Sequence, residues 1–389
     1  MNILTAFSTF KDSLNAEKVG EAIIKTLKQI LPKETKFTNL PLSDGGENFI
    51  EALKTCLELE TIEVPVIGPL GTPMMSSYGS SKKEKGLAII EMAKASGIEH
   101  VPEKDRNPLL TTTYGTGQLI RRAIVDQHDR LLVAIGGSAT NDAGLGALSA
   151  LGYKFSFDPH FAPEEEHFLS GGDLVKIRDI SKPKHLITDE IKMDLACDVV
   201  NPFTGPNGAV EIFSFQKGAK TEQMRRQLED GMCNVRDIFR RKFHVDLDAI
   251  QGSGAAGGLG GGLYVGCSAK IKSGIEILAG IVQLEKHVAN SSVVFTGEGC
   301  YDSQTKYGKV VSYVQTLCKK YNVPLVVLCG KSLVKNNIND ERFFQVHSLD
   351  SMFVKDQSMK KPEFCLKKLV LDRACFFPVI GKKINKDKI

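Results

Sequence analysis

A set of turns rich in glycine, aspartate, asparagine, serine and threonine, each following a short apolar run, carries the side chains able to do chemistry. In open α/β sheets such turns lie at the carboxyl ends of strands, where ligands bind. Phe10-Lys11-Asp12-Ser13 offers a lysine that can reach a phosphate or a carboxylate, or can simply be solvated. Leu42-Ser43-Asp44-Gly45-Gly46-Glu47 places a carboxylate beside two glycines. Asp44 there is either a helix cap with Glu47 completing a box, or a magnesium ligand or proton acceptor. The most specific turn is Ile135-Gly136-Gly137-Ser138-Ala139-Thr140-Asn141-Asp142-Ala143-Gly144, between an apolar run and a helix-like Leu145 to Leu151. Its glycines let backbone N–H groups converge on an anion, and Ser138, Thr140, Asn141 and Asp142 can serve phosphate oxygens or a metal. The plain alternative is a tight turn with an aspartate cap.

Three further turns add to the set. Arg106-Asn107-Pro108 followed by Thr111 to Gly117 supplies a guanidinium for a carboxylate or phosphate, and several hydroxyls including Thr113. Asp198 to Pro202 and Gly205 to Gly208 are followed by Gln216-Lys217-Gly218. Thr296-Gly297-Glu298-Gly299-Cys300-Tyr301-Asp302 carries two carboxylates, a candidate for a divalent metal or a base. Gly252 to Gly257 fits the dinucleotide pattern G-x-G-x-x-G, but Gly258, Gly260, Gly261 and Gly262 are expected to break the helix that should follow. Leu328-Cys329-Gly330-Lys331-Ser332 ends like a P-loop, yet Leu325 stands where its first glycine belongs. No H-E-x-x-H or G-x-S-x-G occurs, which removes support for a zinc peptidase or a serine hydrolase.

Elements must hold these turns in place. Ile3–Phe7, 35–42, 61–67, 87–92, 131–135, 210–215, 292–296 and 325–329 read as strands. Between them lie helical patterns, the clearest from Ala16 to about Leu31, capped by Asn15 and stopped by Pro32. A second helix is expected from Glu47 to Leu59, and Gly68-Pro69-Leu70-Gly71 reads as a turn. The alternation predicts an α/β architecture with a largely parallel sheet. Phe157 to about Lys192 is more polar and reads as a surface insertion. Changes of character divide the chain near residues 67 and 285.

Composition bounds the function. A length of 389 residues is enough for two or three domains of about 150 residues, and 42% apolar with 25% charged residues is ordinary for a folded chain. The formal charge of +4 is uneven: residues 355–389 hold ten basic and four acidic side chains, net +6, leaving −2 for the rest. A nucleic-acid binder would carry its basic stripe through the main domain, so the lysine-rich end reads as a solvated face. The nine scattered cysteines show no C-x-x-C spacing and read as reduced thiols of a cytoplasmic protein. Neither a signal peptide nor a uniform apolar span is expected.

Taken in order, SDGGEN, GPLGTP, EMAKASGI, RNPLLTTTYGTGQLI, GGSATNDAGLGALSALG, CDVVNPFTGPNGA, FSFQKGA, GAAGGLGGGL and FTGEGCYDSQTKYGK resemble the type I glycerate kinase family over roughly residues 3 to 330. The resemblance implies transfer of the ATP γ-phosphoryl group to a hydroxyl of D-glycerate, with Mg2+. It also implies a flavodoxin-like parallel-sheet domain built from both chain ends, 1–66 plus 286–389, with a second α/β domain, 67–285, inserted. On that basis Gly136, Gly137, Ser138, Thr140 and Asn141 are expected at the ATP phosphates, and Asp142 and Glu298 at the metal. Arg106, Thr113 and Asn201 are expected at the substrate. Lys11 would neutralise the transferred group, while Asp302, Asp198 and Asp44 compete for the base. The chain departs from the family pattern at Ser8, Asp12, Ala143 and Cys300, and shows little resemblance beyond about residue 345. A catalytically silent metabolite-binding member and a nicotinamide-dependent dehydrogenase are the alternatives from other classes.

Overall fold

Continuous apolar runs such as Ile3–Phe7 and Leu325–Cys329 are buried along their length, as strands covered by helices on both faces require. The computed structural model of the protein describes residues 1–10, 13–46, 48–161, 167–301, 310–333, 343–380 and 383. Its strands in chain order are β1 (Asn2–Phe7), β2 (Lys36–Asn39), β3 (Leu59–Ile67), β4 (Pro73–Ser81), β5 (Leu87–Glu91), β6 (Arg130–Ala134), β7 (Lys154–Phe157) and β8 (Ile177–Ser181). They continue with β9 (Lys192–Ala196), β10 (Lys270–Lys272), β11 (Val293–Gly297), β12 (Cys300–Tyr301), β13 (Leu325–Cys329), β14 (Lys331–Ser332) and β15 (Phe344–Ser348). The chain divides into two compact units, one of Met1–Asp44, Glu51–Cys56 and Ile275–Ile389, the other of Gly45–Ile50 and Leu57–Gly274.

The first unit holds a five-stranded sheet in the order β15-β13-β11-β1-β2, with every pairing parallel. Counted along the chain within that unit, this is the flavodoxin-like order 2-1-3-4-5. The helix Ala16–Ile30 begins at Asn15, whose side chain accepts from Lys18 N–H at 2.9 Å, and buries Val19, Ile23, Leu27 and Ile30 at helical spacing. The helix Pro362–Arg373 lies in the lysine-rich end, yet Cys365, Leu366, Leu369 and Val370 enter the same core as Phe7, Val293 and Val326. Lys367 and Lys368 take the exposed positions between them, so this helix of the basic end packs as part of the fold.

The second unit holds six strands in the order β10-β9-β6-β5-β4-β3. The first four are parallel, while β4 and β3 run antiparallel at the edge. β4 has the polar sequence Pro73–Ser81, which carries no strand signal; it exists because it pairs with β3 over nine positions, joined through the turn at Gly68–Gly71. β3 lies before residue 67 and falls in this unit, not with the N-terminal part. The described part of the segment from Phe157 to Lys192 is not a surface insertion: β8 pairs antiparallel with β7, and Leu169, Leu174, Ile177, Ile180 and Leu186 are buried in the core. The run 210–215 is not a strand but lies largely in the helix Ala209–Phe213. The glycine-rich stretch also departs from expectation, since Leu259–Cys267 is a helix containing Gly260, Gly261 and Gly262. Packing outweighs propensity there: a Cβ on Gly262 would lie 2.4 Å from the Ala143 carbonyl oxygen, and one on Gly261 2.9 Å from the Phe203 ring.

Candidate active site

The parallel strands of the second unit aim their carboxyl ends at one region, the place where α/β sheets take ligands. β5 ends at Glu91, β6 runs into Ile135-Gly136, and β9 runs into Cys197-Asp198. Gly45–Ile50 is laid across these ends. Gly136 N–H donates to Gly45 O at 3.2 Å, and Ile50 N–H donates to the buried Glu91 carboxylate at 2.6 Å. Gly45 has φ +91°, and a Cβ there would stand 2.9 Å from Ala196 O, so only glycine allows this approach. Burial pushes the Glu91 carboxyl above its ordinary range, with the Ile50 N–H and Lys94 pulling it back.

Behind the turn that leaves β6 lies Lys217, buried, with Nζ donating to Ser138 Oγ at 2.7 Å and to Thr140 O at 2.8 Å. Burial draws its pKa down to about 7, against the opposing pull of the Asp142 carboxylate. The N–H groups of Gly137, Ser138, Thr140 and Asn141 find no protein acceptor among the described residues. Thr140 Oγ1 and both polar atoms of the Asn141 amide are buried without partners as well. Gly137 is exposed, but Thr140 and Asn141 are buried, and unspent polar groups there are costly unless something occupies them. An anion fits the chemistry, so this turn suits the phosphate oxygens of a nucleotide.

Asp142 is fully buried and accepts from four groups. Thr113 N–H and Thr113 Oγ1 each lie 2.7 Å from Oδ2, Gly146 N lies 3.2 Å from Oδ2, and Gly144 N lies 3.1 Å from Oδ1. Burial pushes its carboxyl upward, and those hydrogen bonds pull it back. Both of its oxygens are thus engaged inside the protein, Oδ2 three times and Oδ1 once. Among the described residues no group of three His, Cys, Asp or Glu side chains is placed to hold a metal. Thr113 is committed too, since its hydroxyl accepts from Ala147 N–H at 2.9 Å while donating to Asp142.

The other expected residues divide. Arg106 is half-buried, with Nε donating to Val101 O at 3.4 Å and its remaining guanidinium N–H groups without an acceptor among the described residues. Its carbonyl presses against Gly218, where a Cβ would lie 2.0 Å away, which couples Arg106 to the residue after Lys217. Asn201 donates through Nδ2 to Asn207 O at 2.9 Å, and its carbonyl accepts from Gly254 N–H at 3.1 Å. Ala143 N–H in turn donates to Gly257 O at 3.0 Å, so the glycine-rich turn joins Asn201 to the Gly136–Asp142 turn. Asp198 Oδ1 accepts from Gly274 N–H at 3.0 Å and from Ser273 Oγ at 3.3 Å. In the first unit Glu298 is half-buried just beyond β11, and Asp44 is half-buried beyond β2. Lys11, Asp12, Glu47 and Asp302 lie outside the described residues.

Sequence reasoning does not single out Glu91, and it notes Gln216-Lys217-Gly218 only as a turn after the run 210–215, without a role for Lys217. That run is read as a strand, whereas Ala209–Phe213 is a helix, and the burial of Lys217 is not visible in the local pattern.

Residues 3–373 match the profile of the glycerate kinase family, which carries the likeness well past residue 345. The chain belongs to that family. It is 38% identical over 357 residues to "Glycerate 2-kinase" of Escherichia coli K12, covering 91% of this chain and 90% of that one. To "Glycerate kinase" of Bacillus subtilis 168 it is 37% identical over 357 residues, with the same coverage of 91% and 90%. A solved structure from Salmonella typhimurium LT2, assigned as glycerate kinase 2, aligns with a TM-score of 0.79 at 35% identity, covering 94% of this chain and 95% of its own. The likeness extends to the mixed α/β fold with parallel sheets described above.

Proposed function

We propose that the protein is a type I glycerate kinase that transfers the γ-phosphoryl group of ATP to D-glycerate, at the 2-hydroxyl, in the cytoplasm. The observation that carries the phosphoryl-transfer reading is the Gly137–Asn141 turn, whose N–H donors other than that of Ala139 are unspent and whose Ser138 and Thr140 are held by the buried Lys217. The choice of the 2-hydroxyl follows the name of the Escherichia coli relative. Phosphoryl transfer asks a protein mainly for positioning and charge neutralisation. In this reading the turn's N–H groups and the Asn141 amide take phosphate oxygens, and the free edge of the Arg106 guanidinium takes the glycerate carboxylate. Lys11 neutralises the moving group. Asp302 is the preferred base, because Asp198 already spends Oδ1 on Gly274 and Ser273. Magnesium, when it accompanies ATP, balances phosphate charge.

The test is an ADP-release assay with D-glycerate, L-glycerate, lactate and glycerol, followed by phosphorus NMR of the product. Turnover well above the others with D-glycerate, and a 2-phosphoglycerate signal, is expected. Equal rates with glycerol remove carboxylate recognition by Arg106, and a 3-phosphoglycerate signal moves the accepting hydroxyl.

A further inference from the structure

Lys217 is the one lysine buried among the described residues. A buried ammonium is expensive unless its protons are used, and here two of them are, by Ser138 Oγ and by Thr140 O. Those two acceptors lie on either side of Ala139, so the ammonium bridges the turn from behind. Gly137 contributes a φ of +75°, and Gly136 has no room for a side chain, since a Cβ would lie 2.6 Å from Gly46 Cα. The turn is further held by Gly45 and Gly46 against Gly136, by Ile98 N–H donating to Gly137 O at 2.9 Å, by the Ser96 carbonyl accepting from Ala139 N–H at 3.0 Å and by Thr111 Oγ1 donating to Ala139 O at 3.0 Å. Of all these supports, only Lys217 is ionisable. Its own backbone is fixed by Gly218, whose φ of +108° and close approach to the Arg106 carbonyl leave no place for a Cβ.

We propose that Lys217 is a positioning residue for phosphoryl transfer, its ammonium tying Ser138 to the Thr140 carbonyl so that the Gly137–Asn141 donors stand ready for phosphate oxygens. This rests on the kinase reading and goes beyond it by placing the decisive cation on the turn after Ala209–Phe213, and not only on Lys11. The nearby Asp142 carboxylate offsets part of the burial that disfavours the ammonium, and an arriving phosphate adds to that compensation. Removing the ammonium leaves Ser138 Oγ and Thr140 O without their donor and frees the turn to relax. A shift of about 1 Å in such a group costs on the order of a hundredfold in rate.

The experiment uses the full chain and three variants, Lys217→Met, Lys217→Arg and Ser138→Ala. Two quantities are read: turnover with D-glycerate, and affinity for the non-hydrolysable ATP analogue adenylyl imidodiphosphate by calorimetry. For Lys217→Met the expected result is a fall in kcat of about a hundredfold and a weaker analogue affinity, with KM for D-glycerate nearly unchanged. Lys217→Arg, which keeps the charge and the donors, recovers a substantial part of kcat. A folded Lys217→Met enzyme with near-normal kcat and analogue affinity overturns the proposal, whatever its melting temperature. Should Lys217→Met fail to fold, Lys217→Arg and Ser138→Ala combined decide the matter. Effects no larger together than the greater single effect support action through Ser138, and simple additivity overturns it. Absence of turnover in the wild-type chain would sink the kinase reading alone. The analogue titration then decides for Lys217, since weaker binding by Lys217→Arg or Lys217→Met supports the role and unchanged binding ends it.

Discussion

Asp142 and Asp302 make opposite demands at the scale of single residues. The Asp142 carboxylate answers Thr113, Gly144 and Gly146 inside the protein. In Asp142→Asn an NH2 group must face at least one of those donors, and the nearby Lys217 loses its opposing charge. Such a change should cost about 2–3 kcal/mol of stability, read by urea unfolding at neutral pH. A water-bridged metal ligand would show little loss, so an Asp142→Asn enzyme as stable as wild type would return the residue to the metal. For the base, Asp302→Asn should lower kcat by about a hundredfold with little change in melting temperature. Asp198→Ala should instead cost roughly 1 kcal/mol of stability, because its Oδ1 holds Gly274 N–H and Ser273, while kcat stays near wild type. A large kcat loss at Asp198 with a silent Asp302 would exchange the two roles.

Elements show where local preference is overruled. Glycine-to-alanine changes inside a helix ordinarily gain up to about 1 kcal/mol. In Leu259–Cys267 the sign should reverse at Gly262, because the new methyl would lie 2.4 Å from the Ala143 carbonyl, a backbone atom that cannot turn aside. Gly262→Ala is therefore expected to destabilise by about 2 kcal/mol or more, and a stabilised variant would refute the close packing. The strand β15 makes a pH-dependent contribution. Burial, with Arg373 adding repulsion, lowers the His347 pKa from 6.5 to about 4. Between those values the unfolded chain binds a proton that the folded chain refuses, so stability present above pH 6.5 is lost as the pH falls towards 4. His347→Gln should flatten that slope in unfolding titrations run from about pH 7 to about pH 4.5, and a slope unchanged by the substitution would exclude His347 as its source. The same elements mark the reach of sequence reading. β1, β11 and β13 and the Asn15 cap are visible because each is a local pattern. β4 is not, since its strand character comes from pairing with β3. Nor is the bridge from Lys217 to Ser138, which joins positions 79 residues apart. The turn residues of the site are legible as types; which of them are spent on the protein itself is not.

At the scale of the whole molecule, the chain path itself is testable. We propose that the two units fold as domains, the first assembled from both ends of the chain. A fragment of residues 1–285 retains β1 and β2 but loses β11, β13 and β15, three of the five strands in that sheet. Ile3, Phe7, Val19, Ile23 and Leu27 lose Val293, Phe295, Val326 and Leu328, and the helix bearing Leu366 and Leu369, from their common core. Two strands with the helices Ala16–Ile30, Phe49–Leu57 and Gly274–Ile281 bury too little apolar surface to offset the entropy of ordering them. Residues 57–274 keep the whole six-stranded sheet and its core, including the β3–β4 pairing. They lose only Gly45–Ile50, whose removal strips the Ile50 N–H from the buried Glu91 carboxylate and uncovers Gly136. The 57–274 fragment should therefore melt in a single cooperative transition, below the temperature of the intact chain. Fragment 1–285, which keeps Gly45–Ile50, should show one transition at or above that of the 57–274 fragment and no other, with its first 44 residues cut readily by protease. Protection of those residues in the 1–285 fragment, together with a second sharp transition, would mean that the N-terminal segment folds without the C-terminal strands, and the discontinuous domain would have to be abandoned.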